Sequence, residues 1–60
     1  MSSPERSIRI LVIDDEESIR RALQSILSLR KYDVTLASGG TEGIEKAIET
    51  NPELVILDLS

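Results

Sequence analysis

The apolar positions fall into five blocks with two different periods. Ile8-Arg9-Ile10-Leu11-Val12-Ile13 ends in four uninterrupted, mostly β-branched residues, which suits a strand buried on both faces. "DDEES" follows. Ile19, Ala22, Leu23, Ile26 and Leu27 then recur at helical spacing, with Arg20, Arg21, Gln24, Ser25 and Ser28 on the other face. The spacing predicts a helix over residues 16–30. Asp14 with Glu17 three residues later resembles a capping box. Glu16 and Glu17 at its start, with Arg30 and Lys31 at its end, would complement the helix dipole. "DVTLA", residues 33–37, alternates in Val34 and Leu36 and reads as an edge strand. "SGG" turns the chain, and Ser38 or Gly39 is expected to cap a second helix through Thr50. Its apolar face is Ile44, Ala47 and Ile48. Gly43 inside it costs about 1 kcal/mol against Ala, and a close approach to the sheet is one explanation that the sequence by itself does not prove. Glu42 and Lys46 form a candidate i,i+4 pair. Asn51-Pro52 ends the helix, because a residue before proline avoids the helical region. "LVIL", residues 54–57, is a third strand, apolar without alternation, and is expected to be buried on both faces.

The order βαβαβ argues for an α/β fold with a parallel sheet. A strand order of 1-2-3 would put the polar second strand in the middle. The order 2-1-3 puts it outside and the first strand in the centre. Right-handed crossovers then place the helices on opposite faces. The switch point falls between strands one and three, where ligands of open α/β sheets bind, outside the carboxyl ends.

Composition narrows what can bind there. Sixty residues carry a net charge of −4, which argues against direct nucleic-acid binding. Cysteine and histidine are absent. Thiolate or imidazole chemistry is therefore excluded, and any site uses carboxylates, hydroxyls, Lys, Arg and backbone. Residues 1–6 are polar and expected to be flexible, with no apolar core of a signal peptide. No apolar run approaches the ~20 residues needed to span a membrane.

Asp14 and Asp15 follow the first strand, and Asp58 follows the third. In the 2-1-3 order these strands are neighbours, so three carboxylates are expected to converge. An Asp after a strand is often only a helix cap. Three like charges at one switch point, however, are unfavourable without a proton or cation. Oxygen-only donors suit a hard ion, Mg²⁺ before Mn²⁺ or Ca²⁺. Phosphate-loop readings fail. The first turn has no glycine and four consecutive acids, Asp14 to Glu17, and "SGGTEG" lacks the lysine of a nucleotide-binding loop.

At these residues the chain resembles a response-regulator receiver domain of two-component signalling. The motifs are "ILVIDDEESIRRAL" over residues 10–23 and "PELVILDLS" over residues 52–60, with Asp58 placed 43 positions after Asp15. "YDVTLASGGTEGIEKA" fits the family's second strand and helix. The resemblance implies a flavodoxin-like receiver fold, of which residues 7–60 would be the N-terminal half. It implies that Asp58 accepts a phosphoryl group from a histidine kinase or phosphotransfer protein. It implies Asp15 as a direct Mg²⁺ ligand, Asp14 as an acid holding the ion through water, Asp58 as a ligand, and the backbone carbonyl of Ser60 as another. The family's later hydroxyl and lysine have no counterparts here, so Mg²⁺ is expected to bind weakly and phosphorylation to be impaired. The half-domain is expected to complete its core by self-association, most simply as a two-fold dimer, and to reside in the cytoplasm. A non-catalytic, self-assembling half-domain with a structural role is the alternative.

Overall fold

Residues 7–58 are described by a computed structural model of the chain. The segment expected to be flexible, 1–6, and Ser60 both lie outside the described residues. Five elements alternate as expected: β1 (Arg9–Asp14), α1 (Glu17–Leu29), β2 (Asp33–Ala37), α2 (Gly40–Thr50) and β3 (Leu54–Asp58). They form a three-stranded parallel sheet in the order β2-β1-β3. Arg9 to Ile13 pair with Asp33 to Ala37 on one side, and Ile10 to Asp14 pair with Leu54 to Asp58 on the other.

The core is built on β1. Ile10, Leu11, Val12 and Ile13 are buried together with Ala37, and Leu11 and Val12 are completely enclosed. Alternation divides them between the sheet faces. Leu11 and Ile13 meet α2 at Gly43 and Ala47. A Cβ on Gly43 would stand 3.0 Å from Ile13 Cγ1 and closer still to Ile13 Cδ1. The glycine is therefore where the helix backbone comes down onto the sheet. Both helices pack on β1 and β2, and neither helix backbone comes close to β3.

The third strand departs from expectation. Leu54, Val55 and Leu57 are 51%, 45% and 60% exposed, not buried on both faces. The cause is topological: β3 is an edge strand of this sheet, and no helix of the chain lies over it. Ile44 and Ile48 on α2 and Ile26 on α1 are exposed for the same lack of cover.

Helix ends also differ in detail. The N-cap of α1 is Glu16 in extended backbone, with no side-chain cap, so the Asp14–Glu17 capping box does not form. At the other end the chain turns out of the helix. Lys31 N–H donates to Ser28 O and Tyr32 N–H to Leu27 O, with Lys31 at φ 69°. This is the Schellman arrangement. It leaves Arg30 and Lys31 beyond the last helical turn, so they do not complement its dipole from within. The α2 N-cap is Gly39. Glu42 reaches back to Ser38, accepting from its N–H and its hydroxyl, each at 2.9 Å. The expected Glu42–Lys46 pair gives way to Lys46–Glu49 at 3.7 Å. α2 ends at Thr50, and Asn51 takes the left-handed conformation before Pro52.

The chain is then fastened back onto the start of β1. Arg9 Nε donates to Asn51 O at 3.0 Å, Arg9 N–H donates to Glu53 Oε1 at 3.0 Å, and Glu53 N–H donates to Arg9 O at 2.8 Å. These bonds set the β1–β3 register from its entry.

Candidate functional site

That register brings Asp14 and Asp58 to the same level. They are partner residues at the carboxyl ends of β1 and β3, the position where a sheet of this order reverses its direction of growth. Their environments differ. Asp14, at the end of the central strand, is 4% exposed. Asp58, at the end of the edge strand, is exposed, and so is Asp15, one residue past β1.

Asp14 is held at both its polar groups. Its Oδ1 accepts the Glu16 N–H at 2.9 Å, an Asx-type turn in which a side chain satisfies the backbone two residues on. Its backbone carbonyl accepts from Arg20 Nη1 at 2.8 Å. The backbone N–H of Arg20 in turn donates to Glu16 O at 3.1 Å. The turn Asp14-Asp15-Glu16 is thus tied on each side of Asp15. The helical spacing places Arg20 on the polar face of α1, and one signal sets it apart. A cation in the fourth position of a helix runs against the dipole, so it calls for a partner elsewhere.

Among the described residues, no three acidic side chains gather into a group able to hold a metal ion. Asp14 and Asp58 are matched on adjacent strands, Asp15 adjoins Asp14, and Ser60 lies outside the described residues. The donor chemistry nevertheless suits a cation. Asp14 is a buried carboxylate with one hydrogen bond to it among the described residues, and a buried charge so poorly compensated is costly. Mg²⁺ keeps several waters and commonly takes only one or two protein carboxylates, so a complete protein cage is not required.

Of the two lysines of the chain, Lys31 stands away from this corner. Lys31 lies two residues before Asp33, whose partner Arg9 begins β1, so it is at the opposite end of the sheet. Lys46 pairs with Glu49 on α2. Among the described residues, no helix is long and apolar enough to cross a membrane.

Comparison with known proteins gives a consistent result. The response regulator receiver domain family matches over residues 10–60. The alkaline phosphatase synthesis transcriptional regulatory protein PhoP of Bacillus subtilis (strain 168) is 49% identical over 51 residues, covering 85% of this chain and 21% of that protein. The transcriptional regulatory protein ResD of the same organism is 45% identical over 51 residues, with the same coverage of 85% and 21%. Response regulator MprA of Mycobacterium ulcerans (strain Agy99) is 40% identical over 53 residues, covering 88% of this chain and 23% of that protein. The chain spans about a fifth of the length of these relatives. No solved structure matches it significantly.

Proposed function

The chain belongs to the response regulator receiver domain family, and on that premise we propose that it carries a phosphoryl-accepting site with Asp58 as the acceptor. A receiver is a signalling domain, not a turnover enzyme. The observation that carries the assignment is the matched placement of Asp14 and Asp58 at the carboxyl ends of neighbouring strands. Asp58 is the exposed member of the pair, as an acceptor that must meet a partner protein has to be. The donor would be a phosphohistidine of a histidine kinase or phosphotransfer protein. Its P–N bond breaks, the electron pair stays on the imidazole nitrogen, and an Asp58 carboxylate oxygen forms the new P–O bond.

Phosphoryl transfer depends on positioning and on neutralising the phosphoryl oxygens more than on covalent chemistry. Asp14, Asp15, Asp58 and the Ser60 carbonyl would hold Mg²⁺, which when bound offsets the negative charge that the acceptor carboxylate has to approach. Incubation with a labelled small phosphodonor and Mg²⁺, followed by mapping, tests the reading. Labelling at Asp58 that disappears in Asp58→Asn is expected. Label on another carboxylate would overturn it.

A second reading, a self-assembling module with a structural role, is favoured by the exposed apolar face of Val55 and Leu57 beside Ile44. The outer edge of β3 also invites strand pairing. A two-fold axis perpendicular to the sheet would join two copies in the order 2-1-3-3′-1′-2′. It would carry the two Asp58 residues to opposite ends of the joint sheet. Light scattering separates the cases: a dimer is expected, and a well-folded monomer at tens of micromolar would exclude this second reading.

A further inference from the structure

We infer that Arg20 is a positioning residue for the acidic corner: its guanidinium, bonded to the Asp14 carbonyl, fixes the turn that carries Asp15 out of the end of β1. This rests on the reading of those carboxylates as a cation site. Three observations support it. The Arg20 side chain reaches back through Nη1 to Asp14 O at 2.8 Å, while the first backbone bond of α1, from Arg20 N–H to Glu16 O at 3.1 Å, ties the other side of the same turn. The Asp14 carboxylate closes the same turn from inside through the Glu16 N–H. The main-chain path through Asp15 is therefore pinned at the residue before it and the residue after it. Finally, the side chain of Arg20 turns toward the end of β1, although the helix position it occupies would leave it free to extend into solvent like Arg21. Arg21 pairs instead with Glu17, its neighbour one turn back on the same helix, at 3.0 Å.

Placement and charge pull metal affinity in opposite directions, which makes the role separable. Arg20 brings a positive charge to the turn that carries Asp14 and Asp15. If charge alone mattered, removing it would tighten binding of a divalent cation. If Arg20 positions the ligands, removing it weakens binding in spite of the lost repulsion. Residues that orient metal ligands typically contribute 10–100-fold in affinity. Arg20 acts on a carbonyl rather than on a ligand atom, so the lower end applies.

The test uses the full chain with Arg20→Gln and Arg20→Lys, and has two arms. Amide hydrogen exchange in metal-free buffer should show the Glu16 and Arg20 N–H groups exchanging about tenfold faster in Arg20→Gln, the factor that ~1.4 kcal/mol corresponds to. The β1–β2 amides should be unchanged, and Arg20→Lys should recover part of the loss. Uniform acceleration of all amides, or none at Glu16, would overturn the proposal whatever the metal does. In the second arm, titration with Mg²⁺ should show binding to Arg20→Gln weakened about tenfold. Tighter binding to Arg20→Gln would reduce Arg20 to a charge and overturn the positioning role. A parent chain that does not bind Mg²⁺, with the exchange result intact, would instead overturn the cation reading of the site and leave Arg20 as the residue that sets the turn.

Discussion

Asp14 and Asp58 are register partners across the parallel β1–β3 pair, one buried and one exposed. Placed side by side on adjacent strands, two carboxylates repel unless a cation or proton intervenes. The protein accepts that arrangement at the one edge of its sheet where α/β proteins bind ligands.

Mg²⁺ is accordingly expected to stabilise the chain. Ligand present at ten times its Kd adds about 1.4 kcal/mol, and in a domain of this size each kcal/mol moves the melting midpoint by roughly 4–8 °C. Asp15→Ala should abolish the response. Asp14→Asn should abolish it too, while leaving metal-free stability equal or higher, because an amide oxygen can still accept the Glu16 N–H without a buried charge. Melting curves with and without Mg²⁺ measure all three. A parent midpoint indifferent to millimolar Mg²⁺ would count against the cation.

Gly43→Ala is expected to destabilise by ~1–2 kcal/mol. The substitution gains about 1 kcal/mol of helix propensity but drives a methyl into Ile13, a buried β-branched side chain with little rotamer freedom. Ile13→Val deletes Cδ1, the atom nearest that methyl. Alone it should cost ~0.5–1.5 kcal/mol. Combined with Gly43→Ala it should cost much less, and a double-mutant cycle in urea reads the coupling. Additive costs would show that the two residues do not meet.

Lys31→Gly should stabilise. Lys31 occupies the left-handed position of the Schellman turn at φ 69°, which costs a residue with a Cβ ~1–2 kcal/mol. Glycine removes that strain and loses ~0.5–1 kcal/mol to its greater freedom when unfolded. A net gain of ~0.5–1 kcal/mol in denaturant titration is expected. Asn51→Gly should gain less, since Asn tolerates this region better than Lys.

The Glu42 carboxyl is held below its ordinary value of 4.5, first by the Ser38 N–H and then by the Ser38 hydroxyl. Both donors favour the charged form. Because the folded value is depressed, the stability it contributes is fully present above the unfolded value of 4.5 and is lost as pH falls through the folded one. Glu42→Gln should therefore be the less stable protein at neutral pH, with the difference shrinking as pH drops below 4.5. Chemical denaturation at several pH values checks this. A difference that stays constant into acid would mean that Glu42 does not titrate against Ser38.

The sequence by itself determined the elements and their order. A continuous apolar run marked β1, helical spacing marked α1 and α2, and the polar second strand argued for an outside place in a 2-1-3 sheet. These features are local, so no distant contact is needed to read them. Gly43 stands between the two: the sequence shows a residue that weakens its own helix, and the structure shows the Ile13 side chain that excludes a Cβ there. Only the tertiary structure decided the exposure of β3. An apolar strand looks the same in sequence whether or not something covers it, and cover depends on which elements lie alongside. The partners of Glu42, the left-handed Lys31 and the grip of Arg20 on Asp14 also belong to the tertiary structure. Each is a choice among several polar groups within reach, settled by angstrom-scale placement of the turns. The acidic corner divides between the two. Residue type and strand order predicted that Asp14 and Asp58 would be neighbours. Their differing burial comes from one lying on the central strand, enclosed from both sides, and the other on the edge.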